Sequence, residues 1–312
     1  MQIPFIQELT ISNSILIAGA GGGFDIVHGL PLYLYLRSLD KKVVLANLSF
    51  TELQQSECTE VFAGTYQITG QSKSLAYFPE KNILNWLYCR NESPSMYAFS
   101  NEMGVVPLWE AYSYIVDSHA IDTLILIDGG TDSLMFGDET KVGTIVEDSC
   151  SIVATSELSI DRKYLAAIGF GVEHNIDHHS CLENIATLIK TGNYMGALSL
   201  TDSMPEGKAY IDLVEYLNAT MTEHESIVSN SVASAMHGEF GDFHPTKRTQ
   251  NSVQFISPLM SIFWFFRIEG IIAQLRFASE IKDTTTMYEI TKKIQKFRYL
   301  NKHRSYKNIP LK

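Results

Sequence analysis

The stretch Ser14-Ile-Leu-Ile-Ala-Gly-Ala-Gly-Gly-Gly-Phe-Asp25 decides the fold of this chain. Its apolar run over residues 15–18 predicts a buried strand, and helical spacing of apolar residues over 26–39 predicts a helix. Four glycines separate the two elements: Gly19, Gly21, Gly22 and Gly23. In a strand, glycine turn and helix, backbone N–H groups at the turn can hold an anion, usually a phosphate. We therefore expect a phosphate-binding turn here.

The glycine turn departs from two standard phosphate-binding motifs. Phe24 stands where a dinucleotide fingerprint has its third glycine, and the acidic residue expected about 20 residues later is missing. The Gly-Lys-Ser/Thr of a P-loop is also missing. Two alternatives remain: a modified phosphate or ribose site, and a tight turn that only allows close strand–helix packing. Asp25 either caps the helix or binds a ligand hydroxyl or ammonium group.

The alternation of strands and helices predicts an α/β fold with a Rossmann-like, mostly parallel sheet, helices on both faces and a helical C-terminal portion. Further strands are predicted at 42–47, 123–127 and 164–171, and helical patterns at 108–119, 149–154, 182–190, 209–236 and 285–301. Residues 1–13 are expected to form an edge strand or a lead-in, and residues 258–266 a buried segment near the centre of the fold. We expect one α/β domain over 1–281 and a basic helix and tail over 282–312.

Three predicted strands end in glycine-rich or polar loops, at residues 19–25, 128–132 and 169–174. The carboxyl ends of parallel strands share one edge of a sheet, and ligands bind in the crevice outside that edge. We therefore expect these three loops, which are distant in sequence, to form one site.

The second loop, Asp128-Gly-Gly-Thr-Asp132, places carboxylates and glycines directly after a buried strand. Such carboxylates can bind Mg²⁺ or ribose hydroxyls, or activate water. In the alternative interpretation, Asp128 caps the next helix and the rest is a solvated turn. The candidate catalytic residues are Asp128 and Asp132, and the candidate ligand-binding residues are Gly129, Gly130, Thr131 and Glu139, the last if the loop folds back.

The third loop runs from Gly169 to His179 and contains three histidines. His174 and His178 have the i,i+4 spacing of a metal pair on a helix. Alternatively, Glu173 and Asp177 orient a histidine as a general base, or the segment is only a polar loop and helix start. The candidate residues are His174 as a catalytic group and Gly171 and Glu173 as ligand contacts.

The composition excludes several classes of partner. The net charge of −11 argues against nonspecific binding to nucleic acid or anionic membranes. Four isolated cysteines indicate a reducing compartment, no signal peptide is evident, and the apolar stretch 259–272 is too short to cross a membrane. We expect a cytoplasmic protein without nucleic-acid or membrane partners. The basic segment 282–312 could contact the acidic body of a second subunit in a homo-oligomer.

Several motifs of the chain resemble those of the DUF1152 proteins. The resemblance rests on the turn from Gly19 to Asp25, on Ile127-Asp-Gly-Gly-Thr-Asp132 with Gly137-Asp-Glu139, and on Ser257-Pro-Leu-Met260. Proteins of that family have a glycine-rich N-terminal loop followed by an acidic residue, then an Asp-Gly-Gly-Asp-like element, which Thr131 interrupts here. The family has no assigned activity, so the resemblance implies a shared architecture and pocket over residues 10–275.

The leading hypothesis is an enzyme that binds a nucleotide or phosphosugar, as a hydrolase or transferase. The glycine turn would hold the phosphate. Asp25, Asp128 and Asp132 would bind ribose hydroxyls or a divalent metal such as Mg²⁺, and one of them or His174 would activate water. Two alternatives stay open: an oligomeric nucleotide-sensing module without turnover, and an NAD-consuming enzyme resembling sirtuins, whose N-terminal loop is also Gly-Ala-Gly.

Overall fold

The computed structural model describes residues 2–309, in which a large mixed sheet carries helices on both faces. The strands are β1 Ser14–Gly19, β2 Lys42–Ser49, β3 Thr59–Phe62, β4 Thr65–Ile68, β5 Met96–Ser100, β6 Thr123–Gly129, β7 Arg162–Ile168, β8 Tyr194–Ser199, β9 Gly241–Asp242, β10 Phe255–Ile256 and β11 Ile262–Arg267. The α-helices are α1 Pro4–Ile11, α2 Asp25–His28, α3 Leu30–Ser38, α4 Pro79–Tyr88, α5 Val105–His119, α6 Ile145–Ser156, α7 His178–Lys190, α8 Pro205–Thr220, α9 Ile227–Met236, α10 Ile268–Ile272, α11 Ala278–Ile281 and α12 Met287–Leu300. Short 3-10 helices occupy Leu53–Gln55, Asp132–Leu134, Lys247–Thr249 and Pro258–Ser261.

The large sheet has the strand order β3-β4-β5-β2-β1-β6-β7-β11-β8. The five strands from β5 to β7 are mutually parallel, and antiparallel strands extend the sheet at both sides. The chain first winds from β1 towards β5, then returns to place β6 on the other side of β1. This reversal creates a topological switch point between β1 and β6. The predicted Rossmann-like, mostly parallel sheet is confirmed.

The two strands beside the switch point are buried on both faces. In β1, Leu16 and Ala18 pack into one hydrophobic core, while Ile15 and Ile17 pack into the core on the opposite face of the sheet. Parallel strands covered by helices on both sides have such continuous apolar runs, because every residue faces a packed layer. The apolar stretches at 15–18 and 123–127 were therefore readable as strands.

Three predictions about individual segments were wrong in detail. The edge strand, one of the two alternatives for residues 1–13, is wrong, because Pro4–Ile11 form helix α1 and Phe5 stacks on Phe265 with ring centroids 3.9 Å apart. The predicted buried segment 258–266 is exposed at its first two residues and contains most of β11, which lies second from the sheet edge and pairs antiparallel with β7 and β8. The helical pattern over 209–236 is divided into α8 and α9. No helix within residues 2–309 combines the length and hydrophobicity that crossing a membrane requires.

The C-terminal segment is held by both apolar and charged contacts. Ile290 and Ile294 of α12 are buried, and a capping box starts this helix. Beyond α12, Arg304 forms ion pairs with three acidic residues and a hydrogen bond with an amide: Asp138, Glu139, Glu183 and Asn184. The carboxylate of Glu139, which is fully buried, also accepts N–H bonds from the backbone of residues 136 and 137. The tail thus fastens the loop that connects β6 to α6.

Candidate functional site

The candidate site lies at the C-terminal ends of β1 and β6, on either side of the switch point. Asp25 is the first residue of α2, directly after the glycine turn that follows β1. Asp128 is the last residue but one of β6, and Asp148 lies in the first turn of α6. One oxygen of each of these three carboxylates lies within 4.8 Å of the other two. We call Asp25, Asp128 and Asp148 the acidic centre.

The amides of the glycine turn are engaged inside the protein. The N–H of Gly21 donates to Oδ2 of Asp25 at 2.6 Å, and that of Gly23 donates to the carbonyl oxygen of Leu48 at 2.9 Å. The N–H of Ala20 donates to the carbonyl oxygen of Ile127 at 2.8 Å. These three amides are therefore not free to hold a phosphate in this conformation. The turn instead positions the carboxylate of Asp25, whose Oδ1 also accepts the N–H of Gly129 at 3.2 Å.

Asp128 and Asp148 differ in how the protein satisfies them. Oδ2 of Asp128 accepts both the hydroxyl and the backbone N–H of Ser133. Oδ1 of Asp148 is buried and has no hydrogen-bond partner among residues 2–309, and only 3% of this side chain is exposed. An unpartnered carboxylate oxygen in a buried environment is costly unless a cation or a proton accompanies it. Asp148 therefore marks a place for one of these.

A second pair of carboxylates borders the acidic centre. Oδ2 of Asp132 accepts the backbone N–H and the hydroxyl of Thr144 at 2.9 and 2.8 Å. Oε2 of Glu173 accepts the backbone N–H of Thr131 at 3.2 Å. A Cβ built on Gly130 would lie 2.8 Å from Oε2 of Glu173 and 3.2 Å from Oδ1 of Asp132. Oε2 of Glu173 and Oδ1 of Asp132 thus border the same small space.

Glycines make the room that the carboxylates occupy. A Cβ built on Gly21 would lie 2.7 Å from Oδ2 of Asp148 and 3.0 Å from Oδ2 of Asp25. At Gly143, a Cβ would approach the side chain of Asp132 to 2.7 Å. At this edge of the sheet, the glycines therefore leave room for side-chain oxygens, in addition to offering backbone N–H donors.

Burial and mutual repulsion raise the pKa of four carboxyl groups at this site: Asp25, Asp128, Asp148 and Glu173. Burial, followed by the charge of Asp132, raises the pKa of Asp25 from 3.8 to about 7. Burial and neighbouring carboxylates place the pKa of Asp128, of Asp148 and of Glu173 well above the ordinary range. Groups with such shifts concentrate at functional sites, where a nearby cation or a shared proton compensates them.

The acidic centre fits a hard divalent cation. Mg²⁺ and Ca²⁺ prefer carboxylate oxygens, and three such oxygens converge here from three different elements. The unpartnered Oδ1 of Asp148 supports the same fit, because a ligand oxygen of an ion needs no protein donor. Asp25, Asp128 and Asp148 are thus the residues that would hold such an ion.

Two residues of this region were not assigned to the site from the sequence. Asp148 was missed because its approach to the other carboxylates depends on the packing of α6. His28 is buried, and burial lowers its pKa to about 4, so its ring is neutral. Its Nδ1 has no hydrogen-bond partner within the described part of the chain, and it lies 2.5 Å from a Cβ built on Gly129. The i,i+3 spacing from Asp25 was the available signal.

Some of the other predicted residues lie at the site, and others lie away from it. The loops 19–25 and 128–132 meet at one edge, with Glu173 from the third loop joining them. His174 is exposed. The burial of His178, and after it the charge of His174, lowers the pKa of His178. Asp177 caps α7. Glu139 lies in the Arg304 network, so the structure does not bring it together with the acidic centre.

Without a bound metal, the protein is expected to lose stability as the pH rises from about 5 to about 8. The folded state keeps a proton on Asp25 up to about pH 7, whereas an unfolded Asp releases it near 3.8. Because the folded state binds more protons in this window, the free energy of unfolding falls as the pH rises. Thermal unfolding in EDTA should show a Tm decrease of about 5 °C or more. Asp25→Asn should flatten this profile, and equal slopes for the two proteins would contradict the expectation.

Comparison with known proteins gives a family but no activity. No curated protein and no solved structure matches this sequence. The model of one protein family, described as a protein of unknown function (DUF1152), matches residues 16–302. This match includes most of β1, the glycine turn, β6 and the whole acidic centre. The resemblance drawn from the motifs is thereby confirmed, and the chain belongs to the DUF1152 family.

Proposed function

We propose that this protein is a divalent-cation-dependent enzyme that hydrolyses or transfers a phosphate-containing group of a nucleotide or phosphosugar. One observation carries the proposal: Asp148, whose buried Oδ1 has no hydrogen-bond partner within residues 2–309, brings a carboxylate oxygen within 4.8 Å of oxygens of Asp25 and Asp128 at a switch point. Three clustered carboxylates repel one another and would also repel a phosphate. A divalent cation at the acidic centre would offset two of these three negative charges and attract phosphate oxygens directly, so the position and the chemistry favour an anionic substrate.

The residues of the chain divide between binding and proton transfer. Asp25, Asp128 and Asp148 would hold the cation, which supplies charge neutralisation and polarises a phosphoryl oxygen when it is bound. Asp132 stays outside this set and is oriented by Thr144, which leaves its Oδ1 facing the space beside Gly130. In this position Asp132 serves as the general base that takes a proton from an attacking water or hydroxyl.

Glu173 supplies the complementary acid. Burial and the charge of Asp132 raise the pKa of Glu173 well above the ordinary range, which favours the protonated form that a general acid needs. The attacking oxygen forms a bond to phosphorus, the bond to the leaving group breaks, and Glu173 donates its proton to the leaving oxygen. His174 remains a predicted catalytic residue at the exposed end of the same loop.

The proposal places the protein in a reducing, cytoplasmic compartment, which its four free cysteines support: Cys58, Cys89, Cys150 and Cys181. Assembly into a homo-oligomer through the basic C-terminal segment remains a prediction. A nucleotide sensor and an NAD-consuming enzyme remain the alternatives, and they differ from the proposal in the products that they form.

Asp132→Asn is expected to keep cation binding and to lose turnover by about 100-fold or more, because it removes only the base. Calorimetric titration with Mg²⁺ or Mn²⁺ measures the first property. Release of phosphate or nucleoside from a panel of nucleotides, sugar phosphates and NAD measures the second. Asp202→Asn, at an exposed position, is the control.

The same panel separates the alternatives. Turnover that continues in EDTA, or a wild-type protein that binds neither cation, would count against the proposal. Thermal stabilisation by a nucleotide without any product would favour the sensor. Release of nicotinamide from NAD would favour the NAD-consuming enzyme.

A further inference from the structure

Three aromatic side chains surround the glycine turn beside the acidic centre. A Cβ built on Gly23 would lie 3.0 Å from a ring carbon of Phe50 and 3.0 Å from the hydroxyl of Tyr77. The ring of Phe24 meets that of Tyr77 edge to face, with centroids 5.7 Å apart. We call Phe24, Phe50 and Tyr77 the aromatic rim. Gly23 has a φ of +60°, so only glycine fits this position without strain or collision with the rim.

The aromatic rim is continuous with the proposed site. Phe24 directly precedes Asp25, and Phe50 directly follows β2, the strand next to β1. Phe50 is 44% exposed, although its ring lies against the turn. Single exposed apolar residues are common on proteins, but aromatic side chains beside a few convergent polar groups are frequent at ligand sites.

Polar and cationic groups complete the surroundings of Tyr77. The ring of His224 meets that of Tyr77 with centroids 5.4 Å apart. Burial, then the charges of Glu80 and Asp25, raise the pKa of Tyr77, while Arg248 acts in the opposite direction. Tyr77 is therefore close enough to Asp25 and to Arg248 to be affected by the charges of both. Arg248 is held by a hydrogen bond of 3.0 Å from its Nη1 to the carbonyl oxygen of Glu225.

We propose that the aromatic rim is a nucleobase subsite, where the planar base of a nucleotide stacks on Phe50 and Tyr77 while its phosphate reaches the acidic centre. This inference rests on the proposed function and narrows its substrate class from nucleotides or phosphosugars to nucleotides. A phosphosugar has no planar ring, and flat aromatic faces offer it little. A base gains substantial affinity by stacking on each ring, largely irrespective of its identity.

The test compares ligands that share a phosphate and a pentose and differ in the base. Calorimetric titrations in excess Mg²⁺ use AMP, GMP, CMP and UMP against ribose 5-phosphate. At least one nucleotide should bind about tenfold or more tightly than ribose 5-phosphate, in keeping with the loss of base stacking in the latter. Phe50→Leu keeps an apolar side chain without the flat ring, and it should reduce this preference about fivefold or more while Mg²⁺ affinity stays unchanged.

The control is Tyr299→Leu, which removes an 89% exposed ring on α12 and should alter neither measurement. Tyr77→Leu removes the second ring on which the base would stack, and it should also reduce the base preference. The Mg²⁺ affinity of this variant reports whether its fold is intact. Equal binding of all four nucleotides and ribose 5-phosphate would overturn the subsite and leave the phosphate-binding enzyme standing. Loss of Mg²⁺ binding in the wild type would overturn the proposed function itself. Undiminished base preference in both rim variants would also overturn the subsite.

Discussion

Asp148→Asn is expected to abolish divalent-cation binding and, at the same time, to stabilise the metal-free protein. The carboxylate provides one of three converging oxygens, and even changes outside the direct ligands of a metal typically cost 10–100-fold in affinity. We expect a loss on the order of 100-fold or more. The gain in metal-free stability follows because a neutral amide replaces a buried carboxyl group that must either carry a charge beside other carboxylates or take up a proton on folding.

The measurement is thermal unfolding with EDTA and with saturating Mg²⁺. For the wild type, a cation at about 100 times its dissociation constant stabilises the fold by about 2.7 kcal/mol, so Tm should rise. The variant should begin from a higher Tm and should not respond to Mg²⁺. Asp202→Asn is a matched control at an exposed position, and it should behave as the wild type. A variant that still responds to Mg²⁺ would remove Asp148 from the site.

Gly21→Ala should impair the acidic centre without removing any carboxylate. The added Cβ would lie 2.7 Å from one oxygen of Asp148 and 3.0 Å from one oxygen of Asp25. Both side chains are held in a packed interior, so the methyl group would displace them from each other. The φ angle of Gly21 lies outside the left-handed region, so the effect would not arise from backbone strain. Mg²⁺ affinity is expected to fall by about tenfold or more.

Gly70→Ala provides the matched control for this change. Gly70 is exposed, its φ is also outside the left-handed region, and a Cβ there meets only a ring carbon of Tyr88 at 3.4 Å. Its Mg²⁺ affinity and Tm should stay close to those of the wild type. If Gly21→Ala binds Mg²⁺ as well as Gly70→Ala does, the space beside Gly21 is not needed for the cation.

The strands beside the switch point and the meeting of their loops were predictable from the sequence. Ile15 to Ala18 and the run before Asp128 are buried on both faces, and such runs are a strong signal at any position in a chain. Asp25 and Asp128 were found because each follows a strand that the pattern identified. Their convergence then followed from the geometry of parallel sheets alone.

Other features depended on contacts that a single sequence does not display. Asp148 approaches Asp25 only because α6 packs across the end of the sheet, and the i,i+3 relation of His28 to Asp25 does not show that its ring is buried. Strand β8 contains a glycine at 196 and is only partly buried, so its apolar pattern is weak. The glycine turn resembled an anion-binding site, but its Gly21 N–H donates to the carboxylate of Asp25, at the end of the same turn.

The ion pairs of Arg304 connect the C-terminal segment to the loop that lies between two acidic residues of the site, Asp132 and Asp148. Between Asp132 and Asp148 the backbone leaves the sheet, passes Asp138 and Glu139, and returns. Arg304 holds this loop by forming ion pairs with both of these acidic residues. A chain shortened after Leu300 would leave the buried Glu139 carboxylate without the Arg304 guanidinium. The loop between Asp132 and Asp148 would then lose the contacts that hold it in place.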